Sequence, residues 1–412
     1  MTAVRGPAAR VPDSAALRTA SRAVTASFIG AGFSFASWAA RIPQIRAVLH
    51  VSPGALGLIL LAGAAGSGIA TPLSGVIITW LGERRTAAVM PVAGSAGLAT
   101  IAVGYTHGVA PVAVGLFAFG FGGASWDVAI NVQGAAVEQA LARSVMPRFH
   151  AGWSIGTVAG AALSAAMVAL GVPVTVHLLA VAALLAATMP VLPRGFIGAP
   201  HSPGHPATAG QVPPRRSPFA AWLEPRTVLI GLFVLCMTVT EGAGNDWLSL
   251  AVIDGYRTAA VLGTLTFAVF LTGMTAGRWF GPRLIDAYGR VRVLQVSTLT
   301  ALGGLLLIDF GPVLAAALAG AAAMGLGTSL GFPVGLSAAA DDPRYAAGRV
   351  STAASLGYVA FLAGPPMIGF LSDHVGVKHG LSAAAVLLAA AFFLCRATAP
   401  LRPARPGGGR KG

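Results

Sequence analysis

Asp127 and Asn131 stand one helical turn apart inside an otherwise apolar stretch, Phe117-Ala-Phe-Gly-Phe-Gly-Gly-Ala-Ser-Trp-Asp-Val-Ala-Ile-Asn-Val-Gln133. Residues at i and i+4 share one helix face. A carboxylate held in hydrocarbon costs about 3 kcal/mol on insertion scales and more in other treatments. A chain keeps one only where water, a partner group or a proton meets it. A carboxyl that is dry in one state and wet in another can take up and release a proton, and that is the chemistry expected of Asp127. Asn131 would bond solute hydroxyls or orient the acid. Glu241 and Asn245 repeat the i, i+4 pattern, with Gly242 and Gly244 between them, which predicts a broken helix exposing backbone groups to a solute. For both acids the plain alternative is a structural carboxyl bonded to a neighbouring helix.

Four tryptophans, Trp38, Trp126, Trp153 and Trp247, lie near these polar residues in sequence, and Trp38 and Trp126 are the preferred cavity residues. Flat rings stack on sugar faces, although Trp is also enriched at membrane interfaces. At about 1.5 Å per residue, Asp127 falls roughly 16 Å from the basic end of its segment and Glu241 roughly 22 Å, while Arg41 and Asp246 both fall roughly 30 Å in. Matching depth and opposite charge predict that Arg41 and Asp246 pair as a gate, unless both sit apart in headgroup water. His150 would relay protons from Asp127 or cap an interface.

Nothing else offers chemistry. No nucleophile–base pair, phosphate loop or metal-ligand cluster is present, so no catalytic residue, enzyme activity, metal or cofactor is expected beyond a proton as coupling ion. Cys236 and Cys395 lie in separate apolar segments, which argues against a disulfide. His201 and His205 read as solvated residues.

The elements that must hold these groups are apolar. Of 412 residues, 55% are hydrophobic and only 10% charged, against about 25% charged in a soluble protein, and the mean hydropathy is +0.76. About 20 apolar residues cross a bilayer. Twelve such runs can be drawn: 23–45, 54–80, 86–106, 110–137, 149–170, 173–192, 227–251, 259–282, 292–310, 313–337, 350–371 and 378–396. This predicts an all-α membrane protein of twelve transmembrane helices. It divides into a basic tail (1–22), a six-helix bundle (23–192), a Pro-, Gly-, Ser- and His-rich linker (193–226), a second six-helix bundle (227–396) and a basic tail (397–412). The tail at 1–22 lacks the short apolar core and cleavage site of a signal peptide.

The net charge of +14 sits in short runs between apolar segments, not in a patch with interleaved aromatics, so nucleic acid is not an expected partner. With both termini and the linker in the cytosol, most Lys and Arg fall on the cytosolic side. Only Arg41, Arg46, Arg257 and Lys378 fall outside, as the positive-inside rule requires. The expected setting is a bacterial-type cytoplasmic membrane, as a monomer. Three motif pairs recur in order at an offset of roughly 200 residues: Gly120-Phe-Gly122 with Gly325-Leu-Gly327, Gly82-Glu-Arg-Arg85 with Gly289-Arg-Val-Arg292, and Ser154-Ile-Gly-Thr-Val-Ala159 with Ser355-Leu-Gly-Tyr-Val-Ala360. They point to two six-helix pseudo-repeats.

On these features the chain resembles the major facilitator superfamily, in which parallel repeats hold a solute between them. Gly75-Val-Ile-Ile-Thr-Trp-Leu-Gly-Glu-Arg-Arg85 resembles that family's signature loop, with Gly75, Gly82, Arg84 and Arg85 in place and Thr79 where an Asp is usual. Arg283-Leu-Ile-Asp-Ala-Tyr-Gly-Arg-Val-Arg292 keeps the acid as Asp286, with Gly289 and Arg290 following, and is the stronger expected latch. Gly369-Phe-Leu-Ser-Asp-His-Val-Gly376 is a degenerate third copy. In the family such loops latch helices on the cytosolic side of the outward-open state. The fourth segment, with Gly120 and Trp126 to Asn131, and the tenth, with Phe332-Pro333, resemble the fucose-permease-like branch. The resemblance implies that helices one, four, seven and ten line the cavity. It also implies that the glycine stripes Gly152/Gly156/Gly160 and Gly273/Gly277/Gly281 are surfaces on which the fifth and eighth helices rock across the halves.

The expected function is a secondary active transporter using alternating access, a proton-coupled symporter of a small polar, sugar-like solute. The alternatives are a proton-linked efflux antiporter for amphipathic or cationic compounds, which lacks the glycine-proline motif of drug antiporters in its fifth segment, and a non-transporting membrane sensor or scaffold.

Overall fold

The computed structural model describes residues 14–141, 145–197, 220–342 and 345–401. All its regular structure is helical, because a backbone in lipid must bond itself within each segment. Among the described residues, eleven helices are long and apolar enough to cross a membrane: Ser14–Leu49, Pro53–Leu81, Glu83–Gly104, Val109–Leu141, Met146–Ala169, Val174–Gly195, Pro225–Tyr256, Ala260–Tyr288, Arg290–Phe310, Leu314–Ala339 and Gly348–Gly380. The twelfth is hidden by a kink. Gly376, at φ 81° and ψ 157°, interrupts the last of these helices. Chain from Val377 onward therefore belongs with the apolar helix Ala383–Thr398. Gly82 (φ 80°, ψ 153°) and Gly289 (φ 82°, ψ 151°) make the same junction between spans two and three and between eight and nine. That backbone region is open essentially to Gly alone, so one residue ends a span and starts the next.

Spans one to six form one half and spans seven to twelve the other. Large apolar side chains such as Val114, Leu170 and Val386 lie on the outside, as lipid contact requires. Inside each half, glycine permits backbone contact: a Cβ on Gly120 would sit 2.1 Å from the Gly63 carbonyl oxygen, and one on Gly325 would sit 2.0 Å from that of Phe270. The predicted rocking stripes belong to these inner seams. Gly152, Gly156 and Gly160 face Thr25, Ile29 and Phe33 of the first span, and Gly273, Gly277 and Gly281 face Ala322 to Leu330 of the tenth. Spans five and eight do meet across the halves, with other faces. Contact this close locks two backbones together, which suits a rigid half better than a sliding surface.

Among the described residues the first and tenth spans are broken within their length, and the seventh, where a break was expected, is not. The first turns at Ala40 and Arg41, ahead of Pro43, and the tenth at Ser329 and Leu330, ahead of Pro333. The seventh runs unbroken from Pro225 to Tyr256 through Gly242 and Gly244. Gly244 is filled from outside by the Phe270 ring. The glycine penalty of about 1 kcal/mol in a helix is smaller than the cost of freeing backbone groups in lipid. Ser14 to Arg22, part of the predicted tail, are helical. His201, His205 and residues 402–412 lie outside the described residues.

Candidate functional site

A cavity of about 460 Å³ lies between the halves. Its wall takes Trp38 from the first span, Trp126 and Asp127 from the fourth, Trp153 from the fifth, Gly242 and Asp246 from the seventh, and Tyr358, Phe361 and Pro365 from the eleventh. The second span contributes Gly63, Ser67, Gly68 and Thr71. The tenth span contributes no wall residue. Its glycines are spent on packing against Phe270 and Ser297, and the eleventh takes its place.

Asp127, Trp38 and Trp126 therefore stand in the cavity wall. Asn131 does not: its amide donates to the backbone carbonyl of Asp127 at 2.8 Å, so it braces the helix that carries the acid. Glu241 is turned away and pairs with Arg278 of span eight at 3.1 Å. Asn245 is absent from the wall, and Trp247 is fully buried in the core. His150 packs edge-on against Phe28, with ring centroids 5.0 Å apart, away from the cavity.

The predicted Arg41–Asp246 gate is not formed. Asp246 lines the cavity, whereas Arg41 is 2% exposed and donates from Nε to Nδ1 of His177 in the same half, at 3.0 Å. The break in the first span swings Arg41 inward. An ion pair across the halves lies a few residues on, where Arg46 Nη1 meets Asp254 Oδ2 at 2.8 Å.

Beside that pair, spans two and eleven close one face of the molecule. The Gly54 N–H donates to Asp373 Oδ1 at 3.0 Å, and the Ser52 hydroxyl to Oδ2 at 3.3 Å. Asp373 thus sits on the N-terminus of the helix Pro53–Leu81, where a negative charge is favoured. Close approach needs glycine here too: a Cβ on Gly57 would lie 2.6 Å from the Pro365 carbonyl oxygen, and one on Gly369 would lie 2.6 Å from that of Pro53. Toward the other, arginine-rich face the second span packs on its own half, with Ser74 buried against Ser125, and leaves part of its surface open. Gly68 and Gly75 have nothing within 4 Å of a Cβ position, and Trp80 is 82% exposed.

Asp373 precedes Gly376 by three residues, as Asp286 precedes Gly289 and Thr79 precedes Gly82. Asp286 was the expected latch. It is exposed, and Thr79 only returns its hydroxyl to the Gly75 carbonyl at 2.8 Å. Arg290 pairs within its own half with Asp341, at 3.0 and 3.1 Å, and Arg84 donates to the Phe196 carbonyl. The copy that reaches across the halves is the degenerate third one, because it lies at the face where spans two and eleven meet. Tyr358, Phe361 and the Arg46–Asp254 pair were missed; the Asp–x–x–Gly spacing was a visible signal for Asp373. Among the described residues no group of three or more His, Cys, Asp or Glu is placed to hold a metal.

A sequence profile described as Major Facilitator Superfamily matches residues 23–358. An "Uncharacterized transporter y4wD" of Sinorhizobium fredii is 31% identical over 87% of this chain and 92% of its own length. An uncharacterised MFS-type transporter of Yersinia pestis is 30% identical over 88% of this chain and 91% of its own length. Among solved structures, the nucleoside transporter NupG aligns with a TM-score of 0.70 at 15% identity, covering 92% of this chain and 98% of that one. A bacterial homologue of the human lysosomal transporter Spinster, inward-facing and occupied, aligns at 0.70 and 13% identity, covering 94% and 97%.

Proposed function

Because the chain belongs to the Major Facilitator Superfamily and is a membrane transporter of that family, we propose that it works by alternating access on the central cavity, with proton exchange at Asp127 and Asp246 driving a small solute. One observation carries this: each half supplies one acid to a single cavity. Rocking of the halves would change the water around both acids together, and so couple their protons to solute movement. The arginine-rich face is cytosolic by the positive-inside rule, so the arrangement here is inward-facing, closed outside by Asp373 and the Arg46–Asp254 pair. The protein is taken to act as a monomer in a bacterial-type cytoplasmic membrane. Nothing supports a non-transporting sensor.

The test is reconstitution. In proteoliposomes an imposed pH gradient drives solute flux in the wild type and not in Asp127→Asn or Asp246→Asn. Flux that ignores the gradient would remove proton coupling. Absence of flux for every solute tried, including the sugar-like class and organic cations, would remove the transport reading.

A further inference from the structure

The cavity wall also restricts what can be carried, given the transport reading above on which this inference rests. We infer that the solute is a small organic cation: a protonated amine or quaternary ammonium on an aromatic or aliphatic body. Among the described residues, the charged ones in the wall are Asp127 and Asp246, with no Lys, Arg or His beside them. Arg41 is engaged with His177, Arg278 with Glu241 and Arg46 with Asp254. When ionised, two acids of one sign in a low-dielectric cleft focus a field that gathers cations and repels anions.

The rest of the wall agrees. Seven aromatic rings line it, those of Phe35, Trp38, Phe119, Trp126, Trp153, Tyr358 and Phe361, and aromatic faces attract ammonium groups. A hexose needs a dense array of donors and acceptors, yet among the described residues the wall holds no Asn, Gln, Arg or His. Two of its hydroxyls have their protons committed and can only accept, since Ser67 donates to the Gly120 carbonyl at 3.1 Å and Thr71 to that of Ser67 at 2.9 Å. About 460 Å³ falls within the range of small-molecule sites.

The experiment is calorimetric titration of the purified full chain in lipid nanodiscs. The probes are benzyltrimethylammonium, its near-isosteric neutral counterpart 2-methyl-1-phenylpropan-2-ol, phenylacetate and L-fucose. Benzyltrimethylammonium binds saturably, the other three do not, and Asp127→Asn and Asp246→Asn each weaken its binding at least tenfold while eluting as monodisperse protein. Gly242→Leu keeps both acids, fills the wall and also abolishes binding. The inference is overturned if the alcohol or L-fucose binds within threefold of the cation. It is overturned equally if the double Asn variant binds the cation undiminished, or if no binding of the cation is seen. Counterflow of labelled benzyltrimethylammonium in proteoliposomes separates the two claims. Binding without flux refutes transport, whereas saturable binding and flux of L-fucose in place of the cation refutes only the substrate class.

Discussion

Asp373→Asn should open the closed face. The native carboxylate accepts two hydrogen bonds, from Gly54 N–H at 3.0 Å and Ser52 Oγ at 3.3 Å, at the start of a 29-residue helix. A hydrogen bond to a charged group contributes about 1.5–3 kcal/mol, and a charge at a helix N-terminus about 0.3–1 kcal/mol at an exposed site. Asp373 is exposed, so the low end applies. Asn keeps one acceptor and loses the charge, leaving a loss of about 1 kcal/mol, and at about 1.4 kcal/mol per tenfold the equilibrium moves roughly fivefold toward opening of this face. Asp373→Ala, losing both acceptors, should move it further. Pulsed electron–electron resonance between spin labels at Val109 and Val313, both exposed at the starts of spans four and ten, reads the populations once Cys236 and Cys395 are replaced. Asp286→Asn is the control: that acid is exposed on the arginine-rich face and should leave the closed population undiminished. Unchanged distances in Asp373→Asn and Asp373→Ala, with correctly folded protein, would refute the latch.

Charge reversal at either Arg46 or Asp254 should favour the same opening by roughly threefold, since partly exposed pairs contribute up to about 1 kcal/mol; the same labels should show the double swap restoring the native ratio. Gly156→Leu should destabilise the half formed by spans one to six by about 3 kcal/mol or more, because even its Cβ would meet the Ile29 carbonyl oxygen at 2.0 Å and overpacking costs about 1–3 kcal/mol where side chains can yield; thermal unfolding in detergent measures it. Gly242→Leu should leave the unfolding temperature nearly unchanged, because nothing lies within 4 Å of its Cβ position, while removing solute binding in the same preparation.

The helical frame was legible because lipid leaves the chain little choice: long apolar runs must be helices, and the glycines of the signature loops mark their junctions. Asp127 was legible for the same reason, as a charge where charge is expensive. Partners across space were not. Glu241 and Asp246 are five residues apart on one helix, yet one turns to Arg278 and the other to the cavity; the Asn245 spacing assigned the first to the solute, and depth with opposite charge to Arg41 assigned the second to a gate. Arg41 was misassigned because its helix breaks beside it. Gly242 and Gly244 suggested a break that packing against Phe270 made unnecessary.

Gly68, Gly123 and Gly242 all line the cavity, and a Cβ added to any of them meets nothing within 4 Å. Each is a blank in the cavity wall that can be filled without moving a helix. Diversification can then be uncoupled from folding: single substitutions at these blanks would reshape the cavity while the seams built on Gly120, Gly156 and Gly325 stay fixed. Lineages sharing this frame would drift in what they carry long before they drift in how they move.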